Sequence, residues 1–144
     1  MREISTTIEI DAPAQRVWQI LTDFPAYPDW NPFVRSLEGE LRLGGQLEAS
    51  IQPPGKKLMR FRPRVVTLEP NRELRWEGHL LFPGLFDGEH ALVIESRGDD
   101  RVRLLHYELF RGLLVAPLLR LIGANTRRGF EEMNRALKER AERG

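Results

Sequence analysis

One segment, residues 8–34, constrains the fold of this chain more than any other. It begins with the alternating pattern of a β-strand and continues with apolar residues at the spacing of a helix. Asp11 can cap the amino terminus of that helix, and Pro13 suits its first turn because proline lacks an N–H that would go unpaired there. The segment therefore predicts a strand that leads directly into a short helix.

Three prolines follow within the same segment and prevent one long helix. Pro25, Pro28 and Pro32 lack the N–H that a helix interior needs, and each restricts the residue before it. The aromatic residues Trp30 and Phe33 must therefore be presented from a bent stretch of chain. We expect a second short helix here, followed by a turn into a strand.

The chain then continues with antiparallel strands separated by turns, as far as residue 110. Pairs of glycine, proline, asparagine and aspartate mark the breaks between alternating apolar stretches. The predicted strands are residues 2–10, 33–41, 46–52, 57–69, 72–82, 88–97 and 101–110. A final helix is expected from near Pro117, with one buried stripe. That stripe comprises Leu119, Ile122, Thr126, Phe130, Met133 and Leu137.

This order of elements predicts an α+β fold. A curved antiparallel sheet of about seven strands would wrap on a long C-terminal helix, with two short helices after the first strand. The 144 residues form one domain, residues 1–144, since no linker or change in composition divides them. A pocket can form between the sheet and the long helix.

Composition narrows the functional classes. The chain has no cysteine, which excludes disulfides and thiolate chemistry, and its 22 Lys and Arg nearly balance 21 Asp and Glu. Without a basic surplus we expect no nucleic-acid partner, and without about 20 consecutive apolar residues we expect no stable membrane insertion. The start of the chain is an alternating strand and not a leader, which favours a cytoplasmic location. Walker, dinucleotide, HExxH and GxSxG motifs are all absent.

Strand alternation brings three polar residues to one inward face. His90 and Leu92 share a face of strand 88–97, and His106 and Glu108 share a face of strand 101–110. A three-residue loop at residues 98–100 places His90 opposite Glu108 and Leu92 opposite His106. An even loop would oppose inward to outward residues, so the odd length is favoured.

His90, His106 and Glu108 leave several interpretations open. His90 and Glu108 can be a buried structural pair, or the cluster can orient a ligand by hydrogen bonding in an apolar cavity. They are also the candidates for general acid and base chemistry. Two histidines and one carboxylate are a minimal metal set, but no fourth ligand is identified, so we expect no metal. No cofactor is expected either.

Further residues are expected around the same cavity. Trp76 should point inward from its strand, and Phe82 and Phe86 flank a Pro-Gly turn that can border the pocket mouth. The predicted ligand-binding set is Trp30, Phe33, Trp76, Phe82, Phe86, His90, Leu92, His106, Glu108, Phe130 and Met133.

Three stretches of sequence resemble one family. They are APAQRVWQILTDFPAYPDWNPF at residues 12–33, PGLFDGEH at residues 83–90 and NTRRGFEEMNRALKER at residues 125–140. Together they resemble the START-like, helix-grip (SRPBCC) superfamily, and within it the bacterial polyketide cyclase/dehydrase-like group. The resemblance implies a helix-grip fold. It does not choose a function, because the superfamily contains carriers, receptors, enzymes and chaperone regulators.

Three functions are therefore compared. The first is binding of a small hydrophobic or amphipathic molecule between the sheet and the C-terminal helix. The second is a cyclase or dehydratase-like enzyme in which a cavity histidine moves a proton. The third is a protein-interaction module resembling the chaperone-regulating branch. A filled core would favour the third, whereas an apolar cavity with a polar end would favour the first.

Overall fold

A computed structural model describes residues 2–143. These residues form eight strands and three α-helices. The strands are β1 (Arg2–Ile10), β2 (Val34–Gly39), β3 (Leu47–Ile51), β4 (Met59–Phe61), β5 (Arg64–Glu69), β6 (Glu73–His79), β7 (Asp87–Ser96) and β8 (Val102–Arg111). The helices are α1 (Ala14–Thr22), α2 (Tyr27–Trp30) and α3 (Val115–Glu142).

The strands form two antiparallel sheets. One has the order β1-β8-β7-β6-β5 and the other β2-β3-β4. Main-chain hydrogen bonds join them at a corner, where Leu47 donates to the Pro63 carbonyl over 2.8 Å and Val65 donates to the Gly45 carbonyl over 3.0 Å. The result is one curved surface that α3 crosses, packing mainly against β1 and β8. The α+β, helix-grip architecture expected from the sequence is confirmed.

The expected strand at residues 57–69 is divided in two. Its first part, β4, pairs with β3, and its second part, β5, pairs with β6. Pro63 stands at the break, where it has no N–H to continue a ladder but its carbonyl still accepts from Leu47. The curved sheet turns its corner at this point, and this raises the number of strands to eight.

The two predicted short helices after β1 are present as α1 and α2. Between them Phe24–Ala26 forms a short 3-10 helix, as the prolines require. The expected cap is different: Pro13 is the residue before α1, and no side chain caps the helix. The main-chain N–H of Asp11 instead donates to Glu142 Oε2 over 2.8 Å, and the Asp11 carboxylate lies 3.5 Å from Arg101.

The long helix α3 begins at Val115, two residues before the expected Pro117. Its buried face comprises Val115, Thr126, Gly129, Phe130, Met133, Asn134, Leu137 and Ala141. Leu119 and Ile122, expected on the same stripe, are only half-buried, and Ile122 faces a cavity. The part of the chain that the structure describes contains no helix long and apolar enough to cross a membrane.

Candidate functional site: an apolar cavity closed by a histidine and glutamate chain

A cavity of about 80 Å³ lies between the curved sheet and the first half of α3. That volume would hold several water molecules or part of a small ligand, since one water needs roughly 10–15 Å³ on this measure. Its walls are mostly apolar and aromatic. They include Phe33, Ile51, Phe61, Trp76, Phe86 and Phe110. The polar side chains that reach it are His90, Glu108, Thr126 and, from the exposed edge, His79.

Two larger depressions lie elsewhere on the surface. One, of about 770 Å³, runs over the solvent face of β2 to β4, and one, of about 470 Å³, lies between α1 and the end of α3. Charged side chains line both, including Arg60 and Arg62 in the first and Arg16 and Arg140 in the second. Neither offers the apolar enclosure that small-molecule sites generally have, so the interior cavity is the candidate site.

The predicted ligand-binding residues separate into three groups in the structure. Phe33, Trp76, Phe86, His90 and Glu108 line the cavity. Leu92, His106, Phe130 and Met133 are fully buried and do not reach its surface. Trp30 lies in the groove between α1 and α3, and Phe82 is 57% exposed on the loop after β6.

Other lining residues were not in the predicted set. Phe110 lies on the predicted inward face of its strand, and Ile122 and Thr126 lie on the predicted buried stripe of the last helix. The periodicity of the sequence therefore already indicated that these three residues face the interior. Ile51 and Phe61 come from β3 and the end of β4. Their place depends on the second sheet folding over the first, which no local pattern reveals.

The pairing of β7 with β8 is the one predicted from loop length. His90 lies opposite Glu108 and Leu92 opposite His106, with Arg97 donating to Arg101 across the three-residue loop. His90 Nδ1 lies 3.2 Å from Glu108 Oε1, and the His90 ring stacks on Trp76 with ring centres 4.9 Å apart. Thus His90 is held on one face by an indole and at its edge by a carboxylate.

A chain of buried hydrogen bonds continues from His90 to the long helix. His90 Nε2 lies 2.7 Å from His106 Nε2, and His106 Nδ1 lies 2.8 Å from Asn134 Oδ1. Asn134 Nδ2 donates to Thr6 Oγ1 over 2.9 Å, and the Thr6 hydroxyl donates to the main-chain oxygen of His106 over 2.8 Å. All four residues are buried. Asn134 lies four residues after Phe130 and so falls on the predicted apolar stripe of the last helix. This spacing is the sequence feature that could have identified it as buried.

The direction of this chain follows from its one main-chain acceptor. A carbonyl oxygen only accepts, so the Thr6 hydroxyl must donate to it and must accept from the Asn134 amide. The Asn134 oxygen then faces His106, which must donate from Nδ1. Burial, and secondarily the neighbouring His90, hold the pKa of His106 well below 6.5. His106 is therefore neutral, its Nε2 accepts, and His90 donates from Nε2.

Glu108 is the end of this chain that reaches the cavity. Its side chain keeps 20% of its exposure, against 2% for His90. Its Oε2 lies against Gly88, where a Cβ would overlap with it. Glycine at position 88 thus leaves the space in which the carboxylate rests at the cavity wall.

The same residues do not make a metal site. Across residues 2–143, no three His, Cys, Asp or Glu side chains converge in a way that could hold a metal ion. The two histidines face one another through their Nε2 atoms, which leaves no shared position for a cation. The arrangement can hold and pass a proton, and it can bond to a polar group in the cavity.

Residues 1–142 match the family described as polyketide cyclase / dehydrase and lipid transport. The chain belongs to this family. A search of curated proteins finds no significant match to the sequence.

Solved structures show the same fold at low sequence identity. The Zhui aromatase/cyclase from Streptomyces sp. R1128 is 19% identical, with a TM-score of 0.80 over 99% of this chain and 94% of that one. A START superfamily protein from Mycobacterium smegmatis is 23% identical, with a TM-score of 0.73 over 98% and 97%. Norcoclaurine synthase from Thalictrum flavum is 12% identical, with a TM-score of 0.74 over 99% and 94%. These likenesses concern the fold.

Proposed function

We propose that this protein binds a small, mostly apolar molecule in the cavity beneath α3 and anchors the polar end of that molecule at Glu108. The observation that carries the proposal is the placement of one accessible carboxylate in a wall of aromatic and aliphatic side chains. Pockets of this composition are typical of small-molecule sites, in which few polar groups fix the orientation of the ligand.

The size of the cavity limits the part of a ligand that can be enclosed. At about 80 Å³ it is well below the roughly 300–1,000 Å³ of drug-sized sites. A single ring or a short chain fits within it, and any larger ligand must extend past the exposed His79 and the half-buried Phe86. The cavity also favours ligand binding over a protein-interaction module, for which a filled core was expected.

The test uses phenol as a single-ring probe and protein NMR as the readout. The amide signals of Gly78 and Gly88, which line the cavity, should shift saturably as phenol is added. Ile122→Trp should abolish the shifts because Ile122 faces the cavity from α3. Leu121→Trp is the matched control, since Leu121 is 70% exposed one position earlier. Absence of saturable shifts in the wild-type protein, or equal shifts in both variants, would overturn the proposal.

Native mass spectrometry of the purified protein tests the same proposal without a chosen probe. A small molecule that leaves on denaturation and is lost in Ile122→Trp supports a carrier and gives the chemical class of its ligand. A molecule retained in equal amount by Ile122→Trp would place its binding outside the cavity.

A second candidate function is supported by the His90 and Glu108 pair. A carboxylate bonded to a histidine is a plausible proton-transfer unit, and here it reaches a cavity that a substrate could enter. The family description includes cyclase and dehydrase activity. In this function Glu108 or His90 would remove a proton from a carbon next to a carbonyl group, and the cavity would hold the substrate folded.

Glu108→Gln separates the two candidates. The amide keeps the shape and hydrogen bonding of the side chain but cannot exchange a proton at neutral pH. An enzyme would lose cyclisation of a linear thioester with three β-related ketones, in which the carbon next to the thioester attacks the farthest ketone and one water leaves. Mass spectrometry follows this loss of water, while phenol binding persists. If the wild-type protein does not convert the thioester faster than buffer does, the enzyme candidate fails.

A further inference from the structure

We infer that the polar end of the ligand is a neutral hydrogen-bond donor, such as a phenolic or alcoholic hydroxyl, and that Glu108 Oε2 is its acceptor. The inference rests on the proposed binding function and specifies its ligand. It follows from the hydrogen-bond directions within the buried chain, which reach from the main chain of β8 to the cavity wall.

The contact between His90 and Glu108 requires a proton. Since His90 donates from Nε2 to His106, a neutral His90 has only a lone pair on Nδ1. A lone pair cannot bond to an ionised carboxylate 3.2 Å away. One proton must therefore lie between Nδ1 and Oε1, carried either by His90 as an imidazolium or by Glu108 as a carboxylic acid.

The other carboxylate oxygen, Glu108 Oε2, is a hydrogen-bond acceptor wherever that proton lies. When His90 is an imidazolium, Oε2 is one of the two oxygens of the ionised Glu108 carboxylate. When Glu108 is a carboxylic acid, its proton is on Oε1 and Oε2 is the carbonyl oxygen. Oε2 accepts hydrogen bonds in both forms. Within residues 2–143 no group bonds to it, although Glu108 lines the cavity and keeps 20% of its exposure.

The net charge of the His90 and Glu108 pair also limits the chemistry of the ligand. Either placement of the proton gives the pair of His90 and Glu108 a net charge of zero, so the site does not demand a cationic ligand. A ligand carboxylate or ketone would bring its own lone pairs against Oε2, whereas a hydroxyl places its hydrogen there. The chemistry of the site thus selects donors over acceptors at the polar end.

The test compares phenol with fluorobenzene, which is nearly the same size and has no donor. Both are titrated into the wild-type protein and followed at the Gly88 amide. One hydrogen bond to Oε2 should make phenol bind about tenfold more tightly. Equal affinity would overturn the inference and leave the binding function standing. Failure of both probes to bind would overturn the binding function itself.

Two variants at position 108 sharpen the comparison. Glu108→Gln should keep the preference for phenol, because His90 Nδ1 then accepts from the glutamine amide and the glutamine oxygen faces the cavity. Glu108→Leu should bind both probes alike. Persistence of the preference in Glu108→Leu with a native NMR spectrum would show that another group receives the hydroxyl. Its loss in Glu108→Gln would contradict the deduced hydrogen-bond directions.

Discussion

The ring of Phe33 occupies the space that a side chain at position 129 would need. Gly129 lies in the buried face of α3, and a Cβ there would overlap with two carbons of the Phe33 ring. Glycine is unfavourable within a helix by up to about 1 kcal/mol relative to alanine, so this close approach explains its presence. Phe33 also lines the cavity, and its position against α3 therefore sets part of the cavity wall.

Two glycines in α3 should respond oppositely to alanine. Gly129→Ala should destabilise the protein by about 1–3 kcal/mol because the methyl group overpacks against Phe33. Gly123→Ala should stabilise it by up to about 1 kcal/mol, since its nearest contact would be Leu119 at 3.9 Å. Urea unfolding monitored by circular dichroism measures both. Changes of the same sign in the two variants would contradict the close approach.

Removal of the Asn134 amide should be costly. Asn134→Ala leaves the His106 Nδ1–H without its acceptor and Thr6 Oγ1 without the donor from Asn134, at a cost of about 1–3 kcal/mol. Arg135→Ala, at the next and exposed position, serves as the control and should change stability by less than about 0.5 kcal/mol. The measurement is again the free energy of unfolding in urea. A cost no larger at 134 than at 135 would mean that the chain of hydrogen bonds is not formed.

The protonation of His106 should make stability depend on pH. The pKa of His106 is lowered well below 6.5 by burial first and by His90 second. As the pH falls below 6.5 the unfolded chain takes up this proton and the folded protein does not. Stability is therefore highest above pH 6.5 and falls on acidification by up to about 1.4 kcal/mol per pH unit, until the folded His106 also titrates.

Unfolding at pH 7.5 and 5.5 in His106→Gln tests this dependence. The difference in unfolding free energy between the two conditions should be smaller in the variant than in the wild-type protein. His79→Gln, which changes an exposed histidine, is the control for replacing a histidine by glutamine. An undiminished difference in His106→Gln would assign the pH dependence to other groups.

Glycine at position 88 should control the position of Glu108. In Gly88→Ala the methyl group would displace the carboxylate, and the preference for phenol over fluorobenzene should be lost. Stability should fall by no more than about 1.5 kcal/mol, the contribution of one hydrogen bond, because the displaced atoms end a flexible side chain. Gly123→Ala, at a glycine of α3 that does not line the cavity, is the control and should keep the preference. A retained preference in Gly88→Ala would contradict the assigned role of Gly88.

The sequence predicted the polar cluster better than it predicted the walls around it. His90 and Glu108 could be placed opposite one another because strand periodicity and the parity of a short loop determine their pairing. The partners Asn134 and Thr6 depend on how α3 is rotated and where it crosses β1. Periodicity identifies the buried stripe of a helix, but it does not say which strand that stripe meets.

The wall formed by β3 and β4 was harder to foresee for the same reason. Ile51 and Phe61 line the cavity only because the chain changes sheets at Pro63. That change depends on a main-chain contact between Pro63 and Leu47, which are far apart in sequence. Phe82 was expected at the pocket mouth because it flanks a turn; it is 57% exposed on that loop and is not among the residues that line the cavity.

Apolar contacts between a helix and a sheet are not directional, so hydrogen bonds between the two add specificity to their alignment. Displacement of α3 by one turn, about 5.4 Å, would break the buried bonds of Asn134 to His106 and Thr6. The hydrogen bonds of Asn134 therefore favour one alignment of α3, together with those that Arg127 and Lys138 donate to main-chain oxygens of β1. Ile122 and Thr126 line the cavity from the same helix, so the alignment of α3 also determines the distance between α3 and the sheet across the cavity.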